Sequence, residues 1–328
     1  MARVPGVAGV VVGDAMKVVV TGANGFVGRA LCARLAAAGH QVIGVVRRPV
    51  QLDAGVQVRV VPESAGDPVW QDLMTGTDAV VDLAVHHSRA GRADRHQMGQ
   101  LRLVNVEAMC RMARQAAAAG VRRFVYLSSV AVHGDESGTG CPFEETDAPN
   151  PQSAYALSKL EAERALVALC TGSTMECVII RPPLVYGPNA RGNLAALVKW
   201  VCSGWPIPLG AVSNGRSLVA IDNLNDFIER CLTHPGAAGQ IFLVSDGQDL
   251  STPDLIRHIA IAWRVPLRLV SVPVPVLRGL GLLTGQSQTV GRLCGNLQLT
   301  MAKAQRVLQW APPISVAEGM LRAAGRQP

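Results

Sequence analysis

Residues 17–20, Lys-Val-Val-Val, run straight into Thr21-Gly22-Ala23-Asn24-Gly25-Phe26-Val27-Gly28, and an Ala/Leu-rich helical pattern follows to about residue 38. This order of strand, glycine-rich turn and helix restricts the fold more than any other feature of the chain. Glycines allow a tight turn and a close backbone approach to a pyrophosphate. The first helical turn then offers unpaired N–H groups and the positive end of its dipole to the anion. A glycine triplet alone also occurs in plain structural turns. Here it stands between the first strand and the first helix, where a dinucleotide loop requires it.

The same rhythm continues through the first half. Apolar runs at 17–20, 41–46, 56–61, 78–83, 122–128 and 175–180 alternate with helical patterns at about 26–38, 68–75, 97–119 and 153–171. Near-continuous apolar strands separated by crossover helices predict a parallel sheet covered on both faces, a doubly wound α/β fold. After Arg181 the pattern loosens, with Pro182, Pro183, Pro188, Pro206 and Pro208 marking irregular connections. Helices are expected at 193–203, 222–233, 252–263, 273–284 and 315–324, and a strand at 240–244. Thr252-Pro253 reads as a helix N-cap followed by proline at the first helical position. The expected division is an extension outside the fold (1–15), a dinucleotide-binding domain (16–180, with 217–248 packing onto it) and a smaller substrate-binding lobe (181–216 and 249–325).

Composition narrows the function classes. Charged residues are 17% and hydrophobic ones 49%, which excludes a disordered chain. The eight cysteines are scattered without a Cys-x-x-Cys pair, so no metal site is expected, and reduced thiols in a cytoplasmic protein are the expected reading. The net charge of +7 lacks the dense basic runs and interleaved aromatics of a nucleic-acid binder. The most apolar stretch, 269–285, contains Arg278 and two prolines, so no membrane span is expected.

The second strand ends Val45-Val46-Arg47-Arg48, with Val46 where an NAD-specific site commonly carries an acid for the ribose hydroxyls. Arg47 and Arg48 suit a 2′-phosphate, which favours NADP(H) over NAD(H). The alternative is two solvated surface arginines.

Tyr155-Ala-Leu-Ser-Lys159 lies early in the 153–171 helix, and the i, i+4 spacing puts Tyr155 and Lys159 on one face. An adjacent ammonium and a positively charged nicotinamide ring both favour the phenolate. Tyr155 is then able to exchange a proton with a substrate oxygen as hydride passes at the neighbouring carbon. Ser129, at the end of the 122–128 strand, is placed to hydrogen-bond the same oxygen.

Together, TGANGFVG, the strand end YLSSVAVHG, YALSK and IIRPPLVYGP resemble the NAD-dependent epimerase/dehydratase family, the extended short-chain dehydrogenases, over about residues 16–325. The resemblance implies that Gly22, Gly25 and Gly28, with Asn24, Phe26 and Val27, hold the pyrophosphate. It further implies that Leu83, Ala84 and Val85 line the cofactor, that Asn105 orders this strand end, and that Lys159 holds the nicotinamide ribose. Pro182 is counted among the cofactor contacts. Asn193 and Leu194 resemble the pair that touches the sugar nucleotide. Arg216 resembles the arginine on its diphosphate, and Arg292 a second phosphate or uridine contact. A homodimer through the helices around 97–119 and 153–171 is also implied.

The departures bear on the reaction. The usual HLAA reads DLAV, the tyrosine of VYG is His133, and the third strand ends Val61-Pro62-Glu63 without the Asp-Leu pair of the adenine side. His86 and His87 follow the fourth strand as loop residues, Asp222 is read as a cap or turn residue, and Trp310 as a packing anchor. Dehydratases of the family place Asp-Glu after the active-site hydroxyl. Val130-Ala131 stands here and transfers no proton, which disfavours dehydration. The expected activity is a UDP-4-keto-(6-deoxy)hexosamine reductase of surface polysaccharide biosynthesis, with a UDP-hexose or UDP-N-acetylhexosamine 4-epimerase as the alternative. A ketone reductase on a non-sugar substrate and a cofactor-sensing non-enzyme stand further off.

Overall fold

In a computed structural model the described residues are 15–62, 67–86, 95–190 and 192–326. The extension through residue 14, Glu63 and His87 lie outside them. The strands are β1 (Lys17–Thr21), β2 (Gln41–Val46), β3 (Val56–Val60), β4 (Ala79–Asp82), β5 (Arg123–Leu127), β6 (Glu176–Arg181), β7 (Leu184–Tyr186), β8 (Leu218–Ala220) and β9 (Ile241–Leu243). Seven form one sheet in the order β3-β2-β1-β4-β5-β6-β9, every neighbouring pair parallel. The short strands β7 and β8 pair apart from it.

The sheet is doubly wound because its strands are apolar on both faces. Val18, Val19 and Val20 are all fully buried. Val18 and Val20 point into a layer containing Leu31, Leu35 and Phe227, whereas Val19 points into one containing Met74, Met112 and Phe124. This alternation follows from the two-residue period of a strand. The order in which strands are added reverses between β1 and β4, and the crevice at their carboxyl ends is where an open α/β sheet takes a ligand.

The expected continuous helix over 97–119 is three segments: Arg95–Arg102, a π-helical turn over Leu103–Ala108, and Met109–Ala118. The wider turn carries the buried Asn105. One helix start also differs from expectation. Ser251, not Thr252, caps Thr252–Trp263, its hydroxyl accepting from the Asp254 N–H at 3.1 Å, so Pro253 is the second helical residue.

Residues 217–248 tie the halves together. Helix Ile221–Thr233 lies against Phe26–Ala37, where Arg34 bridges Asp226 at 2.6 Å and Glu229 at 2.5 Å. Strand β9 extends the sheet beyond β6. Trp310 closes this layer, edge-on to Phe227 and donating to Asp226 Oδ1 at 2.7 Å. The second lobe has its own core, including Tyr186, Leu197, Ile256, Ile259 and Val316. Among the described residues no helix is long and apolar enough to cross a membrane, and no cluster of His, Cys, Asp or Glu is arranged to hold a metal ion.

Candidate active site

The glycine loop lies at the β1–β4 crevice. Gly22 has φ +62°, and a Cβ there would stand 2.8 Å from Leu83 O. A Cβ on Gly28 would stand 2.2 Å from Gly22 O. Both positions therefore demand glycine. Helix Phe26–Ala37 starts with no side-chain cap and no acid in its first turn, leaving its N–H groups and dipole available to an anion. Asn24, Gly25 and Phe26 line a cavity of about 700 Å³ that Arg29, Pro188, Asp222 and Arg322 also border. Asp222 pairs with Arg322 at 2.9 Å.

At the neighbouring strand end three predicted residues come together. Lys159 donates to Leu127 O at 2.7 Å and sits 4.5 Å over the Tyr126 ring. Ser129 starts a short 3-10 turn, its Oγ accepting from the Ala131 N–H at 3.2 Å. Tyr155 is the second residue of helix Ala154–Cys170, one turn before Lys159. Bonds from Ser128 N to Ile180 O (2.7 Å) and from Val130 N to Pro182 O (2.9 Å) fix the strand end against β6. Burial lowers the Lys159 pKa to about 8, against the opposing pull of Asp82 and Glu163. Burial pushes Tyr155 up to about 12. In the protein alone, desolvation thus outweighs the acidifying influence expected of Lys159.

A buried polar frame holds these groups. Asn105 accepts from His86 N at 2.8 Å and donates to His86 O at 3.2 Å and to Ser158 Oγ at 3.0 Å; Ser158 in turn donates to Tyr155 O at 2.8 Å. It thereby ties the segment after β4 to the helix of Tyr155. Arg181 and Glu163 form a fully buried two-point ion pair at 2.5 and 3.0 Å. Arg181 also donates to His133 Nε2 at 2.8 Å. An arginine only donates, so His133 carries its proton on Nδ1. Burial and then the Arg181 charge lower the His133 pKa to about 4.

Sequence reasoning passed over two residues here. Asp82 is buried, accepts from the Thr21 hydroxyl and, at 3.2 Å, from the Ala84 N–H, and lies beside the Lys159 charge. Its signal was an acid inside the otherwise apolar run DAVVDL. Ser128 Oγ is buried with no hydrogen-bond partner in the protein. A second hydroxyl beside Ser129 was its only signal. An orphaned donor, a side-chain-free cradle and an uncapped helix start all fit a bound dinucleotide.

The remaining predicted residues divide. Leu83 is buried, and Ala84 N donates to Thr21 Oγ1 at 3.2 Å, so Leu83, Ala84 and Val85 follow β4 directly beside Gly22. Arg47 and Arg48 are exposed just beyond the buried Val46. Arg216 and Arg292 are brought together, Arg216 donating to Arg292 O at 2.7 Å and to Gly295 O at 3.1 Å. Burial and the Arg292 charge lower the Arg216 pKa. Asn193 is exposed at the start of helix Asn193–Cys202, and Leu194 is buried in the second lobe's core.

Residues 18–245 match the model of the NAD dependent epimerase/dehydratase family. The chain belongs to this family. Epimerase/dehydratase relatives include a UDP-glucose 4-epimerase of Vibrio cholerae, 38% identical with 94% of each chain covered. A UDP-glucose 4-epimerase of Mycolicibacterium smegmatis is 30% identical, covering 94% of this chain and 97% of that one. Among solved structures, MoeE5 in complex with UDP-glucose and NAD has a TM-score of 0.75 at 22% identity, covering 94% of this chain and 97% of that one. A UDP-N-acetylglucosamine 4-epimerase from Bacillus cereus has a TM-score of 0.76 at 17% identity, covering 94% and 98%. These last two likenesses are of fold. As a member of the epimerase/dehydratase family the chain is an NAD(P)-dependent enzyme.

Proposed function

We propose that the enzyme moves hydride at C4 of a UDP-linked sugar, with Tyr155 as the proton donor and acceptor. The observation that carries this reading is Lys159, held on Leu127 O beside Ser129 and one helical turn from Tyr155. A bound nicotinamide supplies the hydride acceptor or donor. Ser129 and Tyr155 hold the C4 oxygen, Tyr155 giving or taking its proton while Lys159 and the ring charge stabilise the phenolate against burial. Gly22, Gly25 and Gly28 with the start of helix Phe26–Ala37 hold the pyrophosphate, and Arg216 with Arg292 the substrate diphosphate.

Two reactions share this half-step. The 4-epimerase reading has the support of the Vibrio relative's name and similarity along nearly the whole chain. The 4-ketoreductase reading is favoured by Val46-Arg47-Arg48, which lacks an acid for the ribose hydroxyls and offers cations to NADPH. We place the epimerase first. Identifying the dinucleotide kept by the purified protein after dialysis tests the choice. One NAD per chain supports the epimerase, whereas an empty site that prefers NADPH to NADH overturns it for the reductase. Free thiols throughout fit a reducing compartment such as the cytoplasm. The exposed Leu103, Leu157 and Val167 support a homodimer through the helices that carry them, to be checked by sedimentation.

A further inference from the structure

The chain's net charge of +7 is unevenly placed. From Leu255 to Ala317 there are seven Lys and Arg and no Asp or Glu, while the rest balances 24 of each. The same segment exposes its aliphatic side chains. In helix Val274–Leu283, Leu277 and Gly281 face inward, Gly281 so close to Val290 that an added Cβ would stand 2.8 Å from it. The opposite stripe is also apolar, with Val276, Leu280 and Leu283 at i, i+4 and i+7 and exposed by 50%, 54% and 86%. Val270 is 46% exposed on the preceding stretch, and Trp205, 73% exposed, stands two residues before Ile207, which pairs with Leu269. Arg264, Arg268 and Arg278 are exposed along this stretch.

We propose that this face of the second lobe docks on an anionic phospholipid surface, helix Val274–Leu283 lying in the headgroup boundary with Trp205 beside it. Exposed aliphatics next to unopposed arginines match the two parts of such a surface, acyl chains and phosphates. An aromatic at the rim suits the interface. A second copy fits less well, because a self-complementary contact would set Arg268 and Arg278 against their own equivalents with no acid in the segment to offset them. Nucleic acid would meet leucines where it needs stacking aromatics.

The test is flotation of the full chain with vesicles of phosphatidylcholine alone or mixed with phosphatidylglycerol. The expected result is partition at least about tenfold stronger on the anionic vesicles, weakened by salt. Both Leu280→Asp with Leu283→Asp and Arg268→Glu with Arg278→Glu should abolish the difference. Equal partition on both vesicles, none on either, or unchanged binding by both variants overturns the proposal. So does a sedimentation mass that halves in the leucine variant without vesicle binding, which would make the face a contact between copies.

Discussion

The sheet domain and the region built around the second core treat charge differently. In the sheet domain, buried charges meet opposite charges. Arg181 is held by Glu163, Arg123 meets Glu176 at 2.7 Å, and Asp82 lies beside Lys159. In the lobe, Arg216 stands beside Arg292, which lies within the acid-free segment Leu255–Ala317; Glu136, from outside that segment, is the acid nearby. A group that must keep one geometry is served by fixed partners inside the protein. A cation such as Arg216, bonded to backbone carbonyls and set beside a second arginine, suits a ligand that brings its own negative charge. The sheet half thus holds its buried charges in a positioning frame, whereas Arg216 and Arg292 are proposed as the lobe's anion-accepting wall.

Four substitutions sharpen or break that contrast. Glu163→Ala leaves Arg181 buried and unpaired and should lower stability by about 3–5 kcal/mol, measured by urea unfolding; a loss below 1 kcal/mol would mean the pair is not part of the frame. His133 comes next. Its folded pKa of about 4 lies below its ordinary 6.5, so as pH falls through that window the unfolded chain takes the proton first. Stability should therefore fall from pH 6.5 towards 4 by at most about 3 kcal/mol. His133→Gln, which keeps an acceptor for Arg181, should flatten that slope, and an unchanged slope would assign it to other groups. Gly28→Ala, forced against Gly22 O, should weaken dinucleotide binding by about 2 kcal/mol, roughly thirtyfold, by calorimetry. On the lobe, Arg216→Ala should raise KM about tenfold, about 1.4 kcal/mol, with kcat little changed. A kcat loss instead would move Arg216 from the wall to the reacting centre.

Much of the sheet half was legible because each strand is a short apolar run with both faces buried. Strand 41–46 is observed at its predicted bounds, and the other sheet-domain strands within a residue or so. The loop glycines and Tyr155-Lys159 were readable because each needs a fixed residue type at a fixed spacing. The rest depends on contacts distant in sequence. Strands β7 and β8 have three residues each and pair across more than thirty positions, too short for a period to show. The helices Ser287–Cys294 and Ala302–Leu308 are likewise short, eight and seven residues. The π-helical turn carries Asn105 and its bonds to His86 and Ser158, which periodicity does not record.

The central claim is that Tyr155 exchanges the proton at C4, held ready by Lys159 and Ser129. A single turnover of wild type and Tyr155→Phe on UDP-glucose, UDP-N-acetylglucosamine and a 4-keto UDP-sugar, followed by nicotinamide absorbance, tests it most directly. The account predicts a wild-type signal on at least one of these and a rate lower by about 10²–10⁴-fold in the variant, with dinucleotide affinity unchanged. A Tyr155→Phe rate equal to wild type on the same sugar would contradict it.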